Sequence, residues 1–229
     1  MPVEVESNGR NEPTKSGEPC KSWWFGARYD ARVTGLQGMT VRERLLDAAY
    51  TLVESNGWER LRVSHVAAAA GVSRQSAYNE FGSKDALGEA LVVREFNRHL
   101  LGLQECLLDQ RDDVEAAVAE AVLYTFRQAE ASPLLAGILT SARSGWGSED
   151  LVEMVRKRNE PLLPYAVKSV AELVALNRPD LEQRYVALAI DTVVRVTISY
   201  IVTPDGPTED TAGRIAEVAA RILGTDQVR

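Results

Sequence analysis

The sequence predicts an all-α fold: an N-terminal three-helix unit over residues 39–85 and a larger helical unit over residues 86–229. Three observations predict it. From Met39 onward apolar residues recur at helical spacing, and no alternating strand pattern of useful length occurs. Capping residues and Gly or Pro breaks divide the chain into stretches of ordinary helix length. Hydrophobic residues make up 45% of the 229, enough for a packed core.

Residues 1–38 lack sustained periodicity and are rich in Glu, Gly, Asn, Pro and Ser. They are expected to be a disordered arm, or a mis-assigned stretch upstream of a folded protein that begins at Met39. Trp23, Trp24 and Phe25 within it offer a docking patch, and Arg28 and Arg32 a minor-groove arm.

Thr40 followed by Glu43 is a capping-box pattern, opening a helix with Leu45, Leu46, Ala49, Leu52 and Val53 on its apolar face. Asn56-Gly57 stops it. A second helix is expected from Ser64 to Ala70, a third, capped by Ser73, to Phe81, and a fourth, capped by Ser83, to about Asp109. Further helices are predicted at roughly 113–131, 133–143, 149–176, 179–202 and 208–223, with Pro161 and Pro164 kinking or splitting the third of these.

The charge of −7 is unevenly spread: residues 1–85 carry 11 basic and 11 acidic side chains, residues 86–229 carry 15 and 22. The acidity therefore leaves the N-terminal unit neutral and able to approach phosphates. No uninterrupted apolar run is long enough for a membrane span, no secretion leader is recognisable, and Cys20 and Cys106 lack partners at metal-like spacing. A cytoplasmic protein with reduced thiols and no metal or cofactor is expected. Phosphate-loop and dinucleotide fingerprints are missing, and no set of nucleophile, base and orienting acid stands out, so an enzyme is not expected.

The stretch Ser64 to Leu87 is the informative one. Two short helices meet at Gly71-Val72-Ser73, a turn short enough for a helix-turn-helix. Gly71 suits a left-handed backbone, Val72 plugs the core and Ser73 caps the next helix. Val66, Ala67, Ala70, Ala77 and Phe81 face the same small core, which leaves Arg74, Gln75, Ser76 and Asn79 exposed, a set suited to base edges and phosphates. On spacing alone, a tight helical hairpin with a polar face is the other reading.

The string SHVAAAAGVSRQSAYNEFGSKDAL, Ser64 to Leu87, resembles the DNA-binding signature of the TetR family of transcriptional regulators, through Val66-Ala67, Ala70-Gly71-Val72-Ser73, Tyr78, Phe81, Lys84 and Leu87. The likeness covers about 45 residues once the first helix is included. It implies a ligand-responsive repressor that binds a near-palindromic operator as a dimer and is released by a small effector, and the supply of apolar residues in the C-terminal unit favours a lipophilic one. The third helix would enter the major groove, with Ser73, Arg74, Gln75, Ser76 and Asn79 facing the DNA and Ser64, Tyr78 and Lys84 holding phosphates. Glu80 departs from the family pattern, and is expected to point away from DNA or pair with an arginine. The YNEFGSK variant resembles an actinobacterial subgroup linked to lipid and alkane metabolism.

The candidates for an apolar effector pocket are Phe96, Leu100, Leu103, Tyr124, Phe126, Leu139, Trp146, Leu162 and Tyr165. His99 is either a structural residue or a ligand contact, and Arg195 either pairs with Asp191 or meets an acidic ligand. The helix 180–202 is apolar on more than one face and must be buried on more than one. With Ile215, Val218, Ala219, Ile222 and Leu223 it is expected to form half of a four-helix homodimer interface.

Overall fold

A computed structural model of the chain describes residues 39–110, 112–140 and 162–225. The N-terminal arm, Cys20 and Trp146 lie outside them. Among the described residues there are nine helices: α1 Val41–Asn56, α2 Val63–Ala69, α3 Arg74–Phe81, α4 Lys84–Asp109, α5 Val114–Ala131, α6 Pro133–Thr140, α7 Leu162–Asn177, α8 Gln183–Val202 and α9 Thr208–Leu223.

The caps follow the sequence closely. Thr40 and Glu43 form the reciprocal box, with the Glu43 amide donating to Thr40 Oγ1 at 3.1 Å and the Thr40 amide to Glu43 Oε2 at 2.7 Å. Ser73, Ser83 and Asp113 accept from the Ser76, Ala86 and Ala116 amides at 3.0–3.1 Å. Two starts differ from expectation. α2 begins at Val63, because the Arg62 carbonyl already accepts from the Val66 amide at 3.1 Å and Val63 is buried; Ser64 therefore sits inside the first turn rather than capping it. α8 begins at Gln183 rather than near 179, because Arg178 and Asp180 brace the Pro179 turn with a 2.7 Å ion pair and Leu181 tucks inward. Pro164 falls in the first described turn of α7, where its missing amide costs little.

The first three helices pack on one another and on the N-terminal half of α4, and α4 then runs on against α5 and α7. One apolar cluster is continuous across this junction, from Leu45, Val66 and Ala77 through Leu91 and Phe96 to Ile138 and Ala166. Polar links reinforce it. Arg94 on α4 reaches Asp47 of α1 at 2.6 Å and the Leu46 carbonyl at 3.1 Å, while buried Glu95 accepts from Arg94 and Arg98. Glu54 of α1 caps α6 from outside, its Oε1 accepting from Ser132 Oγ at 2.8 Å and the Leu134 amide at 3.0 Å.

The C-terminal helices correct one expectation. Ile215 and Ala219 of α9 are buried within the protomer, where α9 packs along α5 and Ile215 meets Val122 and Phe126. Val218, on the other face of α9, is exposed, as are Tyr185 and Leu188 of α8. α8 has 20 residues and is apolar enough in composition to cross a bilayer. Asp191 and Arg195 interrupt its run without lowering its mean hydropathy far, so no uninterrupted apolar stretch marks it in the sequence. Here it packs against α5, α6, α7 and α9.

Candidate nucleic-acid interface and ligand cavity

α3 is held at its start by Ser73, at its middle by the buried Ala77, and at its end by half-buried Phe81. Gly71 has φ +64°, a left-handed turn that would strain any residue with a Cβ. These anchors turn Arg74, Gln75, Tyr78 and Asn79 to solvent. Gln75 Nε2 donates to Asn79 Oδ1 at 2.8 Å, so the two amides share one orientation and each keeps a further hydrogen-bonding group towards solvent. The Arg74 guanidinium lies 5.4 Å from the centre of the Tyr78 ring. The Ser73 and Ser76 hydroxyls are 2.8 Å apart and are partly committed to each other.

At the start of α4, Lys84 Nζ donates to the Glu59 carbonyl at 3.3 Å and stands 4.8 Å from the centre of the Trp58 ring. The buried Trp58, which sequence reasoning overlooked, thus steadies the ammonium beside the positive end of a 26-residue helix. Ser64 is half-buried and His65 exposed on α2. Glu80 pairs with Arg42 of α1 at 3.2 Å, the arginine partner that the departure from the family pattern called for.

The helices from α4 onward line a partly open cavity of about 510 Å³, within the range of small-molecule sites. Its wall is largely aliphatic, drawn from α4 through α9. Of the residues proposed from sequence, Phe96, His99, Leu100, Leu103, Leu139 and Arg195 line it. Tyr124 stands behind the wall, stacked on His99 with centroids 5.4 Å apart and planes 13° from parallel. Phe126 faces α9, and Tyr165 is exposed with its ring 6.4 Å from Phe96. Trp146 and the Leu162 side chain lie outside the described residues. Arg195 is committed to Asp191 at 2.8 Å.

Two polar side chains stand out on this wall. His99 is 5% exposed, and burial holds its imidazole down at about 4, so it is neutral near pH 7. Its Nδ1 has no hydrogen-bond partner among the described residues, and neither has Oγ1 of buried Thr197 on α8. Thr125 Oγ1, in contrast, donates to the Ala121 carbonyl at 2.9 Å. Thr197 escaped sequence reasoning because a threonine in an apolar helix carries no signal until its neighbours are known.

A short helix-turn-helix joined to a helical domain around an apolar cavity defines a one-component DNA-binding regulator. Residues 45–91 match the family described as bacterial regulatory proteins, tetR family, and residues 113–221 match the bacterial tetracyclin repressor C-terminal domain. An HTH-type transcriptional regulator of Mycobacterium tuberculosis strain CDC 1551 / Oshkosh is 30% identical over 183 residues, 79% of this chain and 84% of that protein. The regulator AlkX of M. tuberculosis H37Rv is 26% identical over 178 residues, 78% of this chain and 82% of that protein. The crystal structure of AlkX from Dietzia sp. strain DQ12-45-1b, a repressor implicated in biodegradation of n-alkanes, superposes with a TM-score of 0.62 at 25% identity, covering 79% of this chain and 96% of that one. The chain belongs to the TetR family: it is a ligand-responsive, DNA-binding transcriptional regulator and not an enzyme.

Proposed function

We propose that the chain acts in the cytoplasm as a homodimeric repressor, released from a near-palindromic operator when a lipophilic effector fills the cavity. The observation that carries this reading is α4. One continuous helix begins at Lys84, beside the DNA-facing helix, and ends in the cavity wall with Phe96, His99 and Leu103. A ligand that binds one placement of α4 better than another shifts the position of α3, with no direct contact between ligand and DNA.

In this reading residues 39–85 read DNA and residues 86–229 bind ligand and dimerise. Arg74, Gln75, Ser76 and Asn79 face base edges, and Tyr78, Lys84, Ser64 and Ser73 lie towards phosphates. The exposed Tyr185, Leu188 and Val218 seed the dimer interface, an apolar set that a second copy would cover. The aliphatic wall favours a lipophile, and the resemblance to a repressor implicated in n-alkane biodegradation points the same way.

The test is selection of genomic fragments bound by the full chain, repeated with medium-chain alkanes and their oxidised derivatives. The expected result is enrichment of an inverted-repeat sequence that these compounds abolish. Failure to enrich any sequence would remove the repressor reading.

A further inference from the structure

We infer that the cavity takes one unbranched chain of about 14 carbons lying lengthwise, its polar end beside Asn177 and Arg178 and its methyl end against Phe96, Ile138 and Ala166. The inference rests on reading the cavity as the effector site, and adds the shape, length and orientation of the ligand.

Four helices each turn one long stripe to this space. On α4 it runs from Phe96 to Leu108, and on α5 from Val114 to Thr125. On α7 it runs from Leu163 to Asn177, with Arg178 just beyond, and on α8 from Val186 to Ile198. Within each stripe the lining residues recur at the spacing of a single helix face. A round cavity of about 510 Å³ would be about 10 Å across, whereas the stripes rise about 16–21 Å at 1.5 Å per residue. The space is therefore long and narrow. Carbon–carbon bonds of about 1.5 Å advance an extended chain by about 1.3 Å each, so about 14 carbons span the α4 stripe of about 18 Å. A fused-ring molecule with as many carbons is too short to use that length.

The two ends differ. Phe96, Ile138 and Ala166 belong to the core cluster that continues into the N-terminal unit, and are 3–8% exposed. His99 Nδ1 and Thr197 Oγ1 are covered by protein and do not open onto the cavity, so this closed end offers hydrocarbon. The other end lies where α4 passes to α5 and α7 to α8. Leu108 there is 40% exposed, Asn177 is exposed, and Arg178 is forked onto Asp180 at 2.7 and 2.9 Å. A polar group held at this end keeps its water, while one carried to the closed end exchanges it for hydrocarbon. Arg195 and Ser199 border the α8 stripe from its exposed edge, and Arg195 is held by Asp191 at 2.8 Å.

The experiment is displacement of a cavity-bound hydrophobic dye from the full chain by n-alkanols, in even steps from octanol to octadecanol, and by the matching carboxylates. Affinity should rise about three- to four-fold per carbon, the increment for a buried methylene, up to tetradecanol, and level off beyond hexadecanol. The carboxylates should share that optimum, because the head stays in water. Tetradecanol should bind at least about ten-fold more tightly than phenanthrene, which has as many carbons, and than the diol with a hydroxyl at both ends of the same chain. Ala166→Leu fills the closed end and should shorten the best chain by about two to three carbons. Leu139→Phe, at the same end, takes its place if Ala166→Leu does not fold. Affinity independent of chain length, phenanthrene or the diol matching tetradecanol, or an optimum unmoved in the folded variant overturns the inference and leaves the lipophilic reading standing. Displacement by none of these compounds overturns both.

Discussion

Arg42 Nη1 lies 3.2 Å from Glu80 Oε1, and the same guanidinium sits 4.7 Å from the centre of the Phe81 ring. A carboxylate on α3, the helix proposed to face DNA, would repel phosphate, and Arg42 of α1 cancels it. Glu80→Ala frees that arginine. Operator affinity should rise a few-fold, and the slope of log affinity against log salt should steepen by up to about one. Binding titrations at several salt concentrations read both.

Positioning and reading residues should separate cleanly. Lys84→Ala and Tyr78→Phe should weaken binding to all sequences alike, with Lys84→Ala also reducing the salt slope by about one. Arg74→Ala and Asn79→Ala should cost about 1–3 kcal/mol on the best sequence and relax preference at particular base pairs. Competition binding against single-base operator variants distinguishes the two patterns.

Buried His99 makes stability depend on pH in a defined direction. Its imidazole is lowered from 6.5 to about 4 by burial, so between these values the unfolded chain takes up a proton that the folded chain refuses. Stability is therefore full above about 6.5 and falls as pH drops towards 4, by on the order of 3 kcal/mol. His99→Phe should flatten that part of the curve while carboxylate effects persist. Urea unfolding of both proteins from pH 7 down to pH 4 measures the difference.

Gly102 on α4 is buried directly beneath Tyr124, and a Cβ at position 102 would overlap the phenol hydroxyl and Cζ. Gly102→Ala gains helix propensity of about 1 kcal/mol but must displace a ring that also stacks on His99. A net loss of about 1–2 kcal/mol is expected. Adding Tyr124→Leu should recover part of it, and a double-mutant cycle by thermal unfolding reports the coupling.

Much of the helix-turn-helix was legible in sequence because local rules fix it: Thr40, Gly71, Ser73 and Ser83 each act through backbone geometry within a few residues. The opposition of Glu80 also announced itself, although Arg42 as its partner lies 38 residues away and only the folded arrangement selects it among the arginines. The cavity was less legible. Phe96, His99 and Leu103 share the inner face of α4, yet Tyr124, Phe126 and Tyr165 look equally suitable in sequence and face elsewhere. An amphipathic pattern says that a face is buried and not against what, so the spacing of Ile215 and Ala219 fits a partner copy as well as it fits α5, which covers them.

Glu54 supplies the acceptor for the Leu134 amide, at a helix start that no residue of its own backbone can satisfy. The amide is consequently shielded by a side chain from the opposite unit of the protein. If α1 and α6 part, even briefly, Leu134 is the place where deuterium enters, at a rate set by how often that joint opens. The protein thus carries its own gauge of the contact between α1 and α6, one that can be followed residue by residue as effector or operator is added.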